Sequence, residues 1–167
     1  IAVCAAAAVT MIAATMWAPA PTWPTWALLA TIGAWVAVID AITTWIPAAL
    51  AWTGWAGWIG AVAVTALSDQ TAATRAVIAT TIIFAAWMIA WLISRGGFGF
   101  SDVRITPLWA APVAATGIDT IHATVIAGLA LIALYALIDR FRHHTTRFLP
   151  WAPSLCSGAL IGLAIAH

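Results

Sequence analysis

The chain is a succession of apolar runs, each close to the roughly 20 residues a helix needs to cross a bilayer core about 30 Å thick. Seven such runs are expected, at 1–17, 25–42, 47–67, 73–93, 102–116, 118–138 and 152–166. The breaks between them are short and carry turn-forming residues. Ala18-Pro19-Ala20-Pro21 with Pro24 ends the first, Ser68-Asp69-Gln70-Thr71 separates the third from the fourth, and Gly96-Gly97-Phe98-Gly99 precedes the fifth. The fifth is short and holds Pro107 and Pro112, so it is expected to be tilted or incomplete. The run 1–17 lacks a basic segment before it and is read as a span rather than a signal peptide. The fold class is therefore all-α: a polytopic membrane helix bundle of six to seven spans, forming a single transmembrane domain over 1–167.

Composition agrees. Hydrophobic residues make up 65% and charged residues 7%, against about half and roughly a quarter in soluble domains. A net charge of +1 gives no reason to expect a nucleic-acid partner. The chain has no Lys and no Glu, so its charged side chains are six Arg and five Asp. Cys4 and Cys156 lie in apolar runs with no metal-ligand spacing and read as buried small residues.

The arginines orient the bundle. Arg95 and Arg104 flank the fourth loop, and Arg140, Arg142 and Arg147 fall in the sixth; only Arg75 falls on the other side. Arginine collects on the cytoplasmic side of membrane proteins, so the even loops and the N-terminus are expected there. Asp40, closing the second span, and Asp102, opening the fifth, then meet the same cytoplasmic face. The segment Arg140 to Arg147, with His143 and His144, reads as a basic loop against anionic lipid.

A carboxylate inside a span costs several kcal/mol unless it is paired or hydrated. Asp102 heads a helix, where the dipole favours an anion. Read alone, each has an ordinary alternative: Asp102 as a helix cap, Asp40 as a snorkelling or Arg-paired acid. Two facing carboxylates in a dry site instead share a proton, one acting as base toward water and the other as acid toward a carbonyl. Such chemistry requires no metal and no cofactor. Gly97 and Gly99 permit backbone conformations closed to other residues, and Pro47 biases Ile46 toward extended backbone. Asp69, Asp119 with His122, and Asp139 with Arg140 read as loop or helix-end residues. Gly54, Gly57 and Gly60 read as a close-packing face.

Three segments resemble the type IV prepilin peptidases and their preflagellin-peptidase relatives. Val38-Ile39-Asp40-Ala41-Ile42-Thr43-Thr44-Trp45-Ile46-Pro47 is similar to the family's first catalytic motif. Gly97-Phe98-Gly99-Phe100-Ser101-Asp102-Val103-Arg104 is similar to the Gly-x-Gly-x-Gly-Asp-Val-Lys signature around the second aspartate. Leu149-Pro150-Trp151-Ala152-Pro153 resembles the closing Pro-Phe-Gly-Pro stretch. Ser101, Ala48 and Ile42 depart from the pattern. The resemblance implies an aspartic endopeptidase of the bacterial plasma membrane, with Asp40 and Asp102 catalytic and Gly97, Gly99, Ser101 and Pro47 around the substrate. It implies prepilin-like proteins as substrates, cut at the cytoplasmic membrane face. Nothing matches the family's zinc-binding methyltransferase region. The competing expectations are a proton- or cation-coupled transporter using the same two aspartates, and an inactive assembly component of a pilus or secretion system.

Overall fold

A computed structural model describes residues 1–94, 99–143 and 151–167. Among these residues every regular element is a helix. They are α1 (Ala2–Trp17), α2 (Ala20–Thr43), α3 (Ala48–Ser68), α4 (Gln70–Ser94), α5 (Phe100–Arg104), α6 (Thr106–Thr116), α7 (Ile118–His143) and α8 (Trp151–Ala166). Four of them, α2, α3, α4 and α7, are long and apolar enough to cross a membrane, while α1 and α8 are shorter apolar helices. Helix α2 is not uniform: it opens on a 3₁₀ turn at Ala20–Thr22 and widens to a π turn at Leu29–Gly33.

The outward faces are apolar. Val9, Ile12, Trp35, Ile59, Val64, Leu67, Ile82, Leu92, Ile126 and Ile165 are all exposed. In water such a surface would be a standing aggregation hazard; against lipid tails it costs nothing, and the helical backbone leaves no polar group bare. The chain is a membrane protein built as a helix bundle.

The centre of that bundle is the element the sequence reads as a weak span. Every residue from Thr106 to Ala115 is buried. At 1.5 Å per residue its 11 residues extend only about 16 Å, too short to cross a bilayer core. Helix α6 is thus an interior strut, packed against α2, α3, α4, α7 and α8. Its prolines fit this place. Pro107 lies in the first turn, where no N–H is needed. At the far end Arg75 Nη2 donates to the Ala115 carbonyl at 2.8 Å, and the Thr116 hydroxyl donates to the Pro112 carbonyl at 2.9 Å. Carbonyls that a helix end would leave orphaned are therefore satisfied. Trp109 and Val113 of α6 pack with Trp26 and Leu29 of α2 and with Leu155 and Leu163 of α8.

The largest helix–helix contact among the described residues joins α7 to α8. It depends on glycines. A Cβ on Gly158 would sit 2.7 Å from the Gly128 nitrogen and 2.9 Å from the Thr124 carbonyl oxygen; one on Gly162 would sit 2.6 Å from the Thr124 nitrogen. Gly158 and Gly162 are four residues apart on one face, the small-xxx-small spacing that lets two backbones touch. The expected Gly54, Gly57 and Gly60 face divides. Gly54 receives Leu108, and Gly57 receives Leu28, but a Cβ on Gly60 would meet nothing within 4 Å. Accordingly, Gly158→Val should destabilise the bundle by about 1–3 kcal/mol, the usual cost of overpacking. Gly60→Ala should change stability by less than about 0.5 kcal/mol. Thermal unfolding in one detergent compares the two.

Candidate active site

Helix α2 ends by a left-handed residue. Thr44 has φ 52° and ψ 24°, and its N–H closes the helix on the Asp40 carbonyl at 2.8 Å. Threonine is β-branched and rarely takes this conformation. The Thr43 hydroxyl braces the turn, donating to the Ile39 carbonyl at 2.8 Å and accepting the Trp45 N–H at 3.2 Å. The chain then buries Ile46 and restarts as α3 at Pro47, whose φ of −56° and ψ of 134° are the extended values proline favours. Pro47 accepts the Leu50 and Ala51 N–H groups and so caps α3. This tight reversal leaves Asp40 in the last turn of α2, on its inward face below Val36, and only 2% exposed.

Asp40 is held from the other end of the chain. The Ala152 N–H, in the first turn of α8, donates to Asp40 Oδ2 at 3.0 Å. That N–H has no partner within its own helix, and the positive end of α8 favours an anion there. The carboxylate thus serves as a cap in trans. Ala152 belongs to an apolar cluster with Val36, Ile46, Ile105 and Leu108, which forms the floor beside Asp40.

Asp102 arrives on the short α5 and is 7% exposed. It lies within electrostatic reach of Asp40, although the two residues are about 60 positions apart in sequence. Aromatic contacts fix α5. Trp55 Nε1 donates to the Arg104 carbonyl at 3.0 Å; Phe100 packs on Trp91 with ring centroids 4.9 Å apart, and the Arg104 guanidinium lies 5.3 Å above the Phe100 ring. A Trp87–Trp151 edge contact at 5.4 Å ties α4 to the start of α8. These rings act as packing residues around the site.

The neighbouring expectations resolve one by one. Gly97 lies outside the described residues. Gly99 has φ −73° and ψ 131°, ordinary for any residue, so its conformational freedom is not what the position uses. It supplies space: a Cβ there would sit 2.8 Å from Asp102 Oδ2 and 3.2 Å from the Ser101 Oγ. Ser101 lies within α5 without positive φ and is half-buried, so a residue larger than glycine is accommodated there without strain. Ile42 is 77% exposed and Ala48 is also exposed, so both point away from the buried pair. Cys156, expected to be buried, is half-buried and lies within electrostatic reach of Asp40. It borders an apolar cavity of about 410 Å³ between α1, α2 and α8, whose walls include Ala37, Val38, Ala41, Pro153 and Leu160. Val38 and Ala41 belong to the turn that carries Asp40. Among the described residues no three His, Cys, Asp or Glu side chains converge as a metal site would require. The trans cap was not visible in sequence, because nothing in the spacing of residues 40 and 152 pairs them.

Chemically, two buried carboxyl groups within electrostatic reach of each other do not ionise independently. Ala152→Pro removes the donor to Asp40 while keeping a residue tolerated in a first helical turn. It should cost about 1–3 kcal/mol of stability. Asp40→Ala should cost a similar amount, and the double variant should lose clearly less than the two losses added, because they remove the same bond. Thermal melting of the four proteins measures this coupling. Comparison with protein-family models, with curated proteins and with solved structures finds no match for this chain.

Proposed function

We propose that this chain is a membrane aspartic endopeptidase that removes the basic leader from type IV prepilin-like precursors. The observation that carries the reading is that Asp40 on α2 and Asp102 on α5 are both buried and lie within electrostatic reach of each other. The resemblance of the segments around them to the prepilin peptidases adds the substrate class. In this reading α1 and α8 cross the membrane with the four long helices, and α5 with α6 makes the seventh passage. The N-terminus is cytoplasmic, and the two aspartates face the cytoplasm of a bacterium. Arg140, exposed at the end of α7, would meet anionic lipid headgroups; His144 and Arg147 lie outside the described residues.

The reaction follows from the pair. One carboxylate takes a proton from water as the oxygen attacks the scissile carbonyl carbon. The other carboxylic acid gives its proton to the carbonyl oxygen, which becomes the second hydroxyl of a tetrahedral intermediate. Collapse reforms the carbonyl, breaks the C–N bond and delivers a proton to the leaving amine. The apolar cavity beside Asp40 suits the hydrophobic segment that follows the leader, and the floor of Val36, Ile46 and Ile105 keeps bulk water from the acid that must stay protonated.

Co-expression with a prepilin-like precursor tests the reading by the loss of the leader on a gel. Wild type should shorten the precursor. Asp40→Asn and Asp102→Asn should each slow cleavage by more than about 100-fold, the scale of a lost acid–base group. Precursor processing that continues in both variants would sink the dyad. Gly99→Ala should slow cleavage while leaving the melting temperature near that of wild type. The nearest atoms to its Cβ belong to the Asp102 and Ser101 side chains. Proton flux into vesicles, abolished by the same variants without any cleavage, would instead identify a transporter.

A further inference from the structure

Arg75 is the arginine that the charge bias leaves on the wrong side. Helix α3 leaves the aspartate end of the bundle at Ala48 and α4 begins at its opposite end, so Arg75, in the second turn of α4, lies far from both aspartates. Helical spacing puts residues 70, 71, 74, 75 and 78 on one face of α4. They border a cavity of about 320 Å³. Gln70, Thr74 and Ile78 also border a second cavity, of about 310 Å³, whose walls include Val62 and Ala66 of α3 and Val77 of α4. The two spaces share three lining residues and are neighbours. A polar surface near the helix end thus lies beside an apolar slot along two membrane-long helices.

Among the residues that border the mouth, Arg75 is the one that carries a charge. Arg75 is exposed there and spends one Nη2 donor on the Ala115 carbonyl, out of the five N–H donors a guanidinium carries. Asp69, the nearest acid in sequence, is not among the residues that line either cavity. Its Oδ1 already accepts the Ala72 N–H at 2.9 Å. A cation at the rim and an aliphatic slot behind it match an amphiphile with an anionic head. We infer that this groove holds one anionic phospholipid, its phosphate on Arg75 with the Gln70 and Thr71 side chains, and an acyl chain along Val62, Ala66, Val77 and Ile78. The lipid belongs to the leaflet remote from Asp40 and Asp102. Because Arg75 also closes the end of α6, the bound headgroup holds the guanidinium where the interior strut needs it. The inference is independent of the peptidase reading.

The full chain in neutral detergent, titrated with phosphatidylglycerol, phosphatidylcholine or inorganic phosphate, tests it by native mass spectrometry and thermal melting. One tightly retained phosphatidylglycerol per chain, with a raised melting temperature, is expected; the other two additions should do neither. Arg75→Gln should weaken retention about tenfold, the scale of one charge-assisted hydrogen bond. Ile78→Trp, which fills the slot and leaves the Arg75–Ala115 bond in place, should weaken it similarly, and it decides the matter if Arg75→Gln does not fold. Equal retention of phosphatidylcholine would remove the headgroup role. Equal stabilisation by inorganic phosphate would remove the acyl chain. Phosphatidylglycerol retention unchanged in Ile78→Trp would place the lipid elsewhere and overturn the proposal.

Discussion

The hydrogen bond from the Ala152 N–H to Asp40 joins residues 112 positions apart, and most of the architecture exists to make it possible. A buried carboxylate needs a donor, and this chain brings a helix terminus to it. That terminus is aimed by α8, which is aimed by α7. The glycines at 128, 158 and 162 bring those two backbones into contact. A side chain on Gly158 or Gly162 would push α8 outward and carry the Ala152 N–H away from Asp40. Lipid offers no hydrophobic drive to press helices together. Close backbone contact therefore does in the membrane what burial of large side chains does in water.

The same constraint explains the central strut. A helix of 11 residues could not face lipid along a whole crossing, because its ends would leave bare carbonyls in hydrocarbon. Surrounded by five other helices, α6 has its ends closed by Arg75, by Thr116 and by the preceding turn of α5. Its shortness then has a consequence at the aspartate end. Since α6 begins only at Thr106, the chain has room for α5, a separate short helix that carries Asp102 within electrostatic reach of Asp40. Trp55, Trp91 and Phe100 keep that short helix from depending on its own few hydrogen bonds.

Hydropathy made the helical class legible, since runs near bilayer length admit few other solutions, and the cost of intramembrane acids drew attention to Asp40 and Asp102. The interior place of α6 was not legible. Residues 106–115 are buried all round, and a helix surrounded by protein has the same apolar composition as one surrounded by lipid. The glycine contact of α7 with α8 was equally hidden: Gly54, Gly57 and Gly60 advertise a more regular pattern than Gly128, Gly158 and Gly162, yet Gly60 packs against nothing. Gly99 shows a subtler limit. Sequence suggests its backbone freedom, whereas its role is the space left for a carboxylate oxygen, a property of what lies opposite and not of the residue.

Thr44 is where the fold accepts strain to keep Asp40 in position. A β-branched residue in the left-handed region costs about 1–3 kcal/mol. Glycine or asparagine would close α2 at lower cost. Yet Thr44 also donates its hydroxyl to the Thr43 carbonyl at 2.7 Å, and Thr43 in turn bonds Ile39 and Trp45. The two threonines thus knit the last turn of α2 to the reversal that follows. A looser cap would let that turn fray, and the turn carries Asp40. Strain retained beside a buried acid, with Ile46 sunk into the core and Pro47 restarting the next helix, holds the carboxylate where both α8 and Asp102 meet it. Such over-determination is what the proposed proton-sharing pair would require, because a shift of either carboxylate alone would let each ionise or neutralise separately.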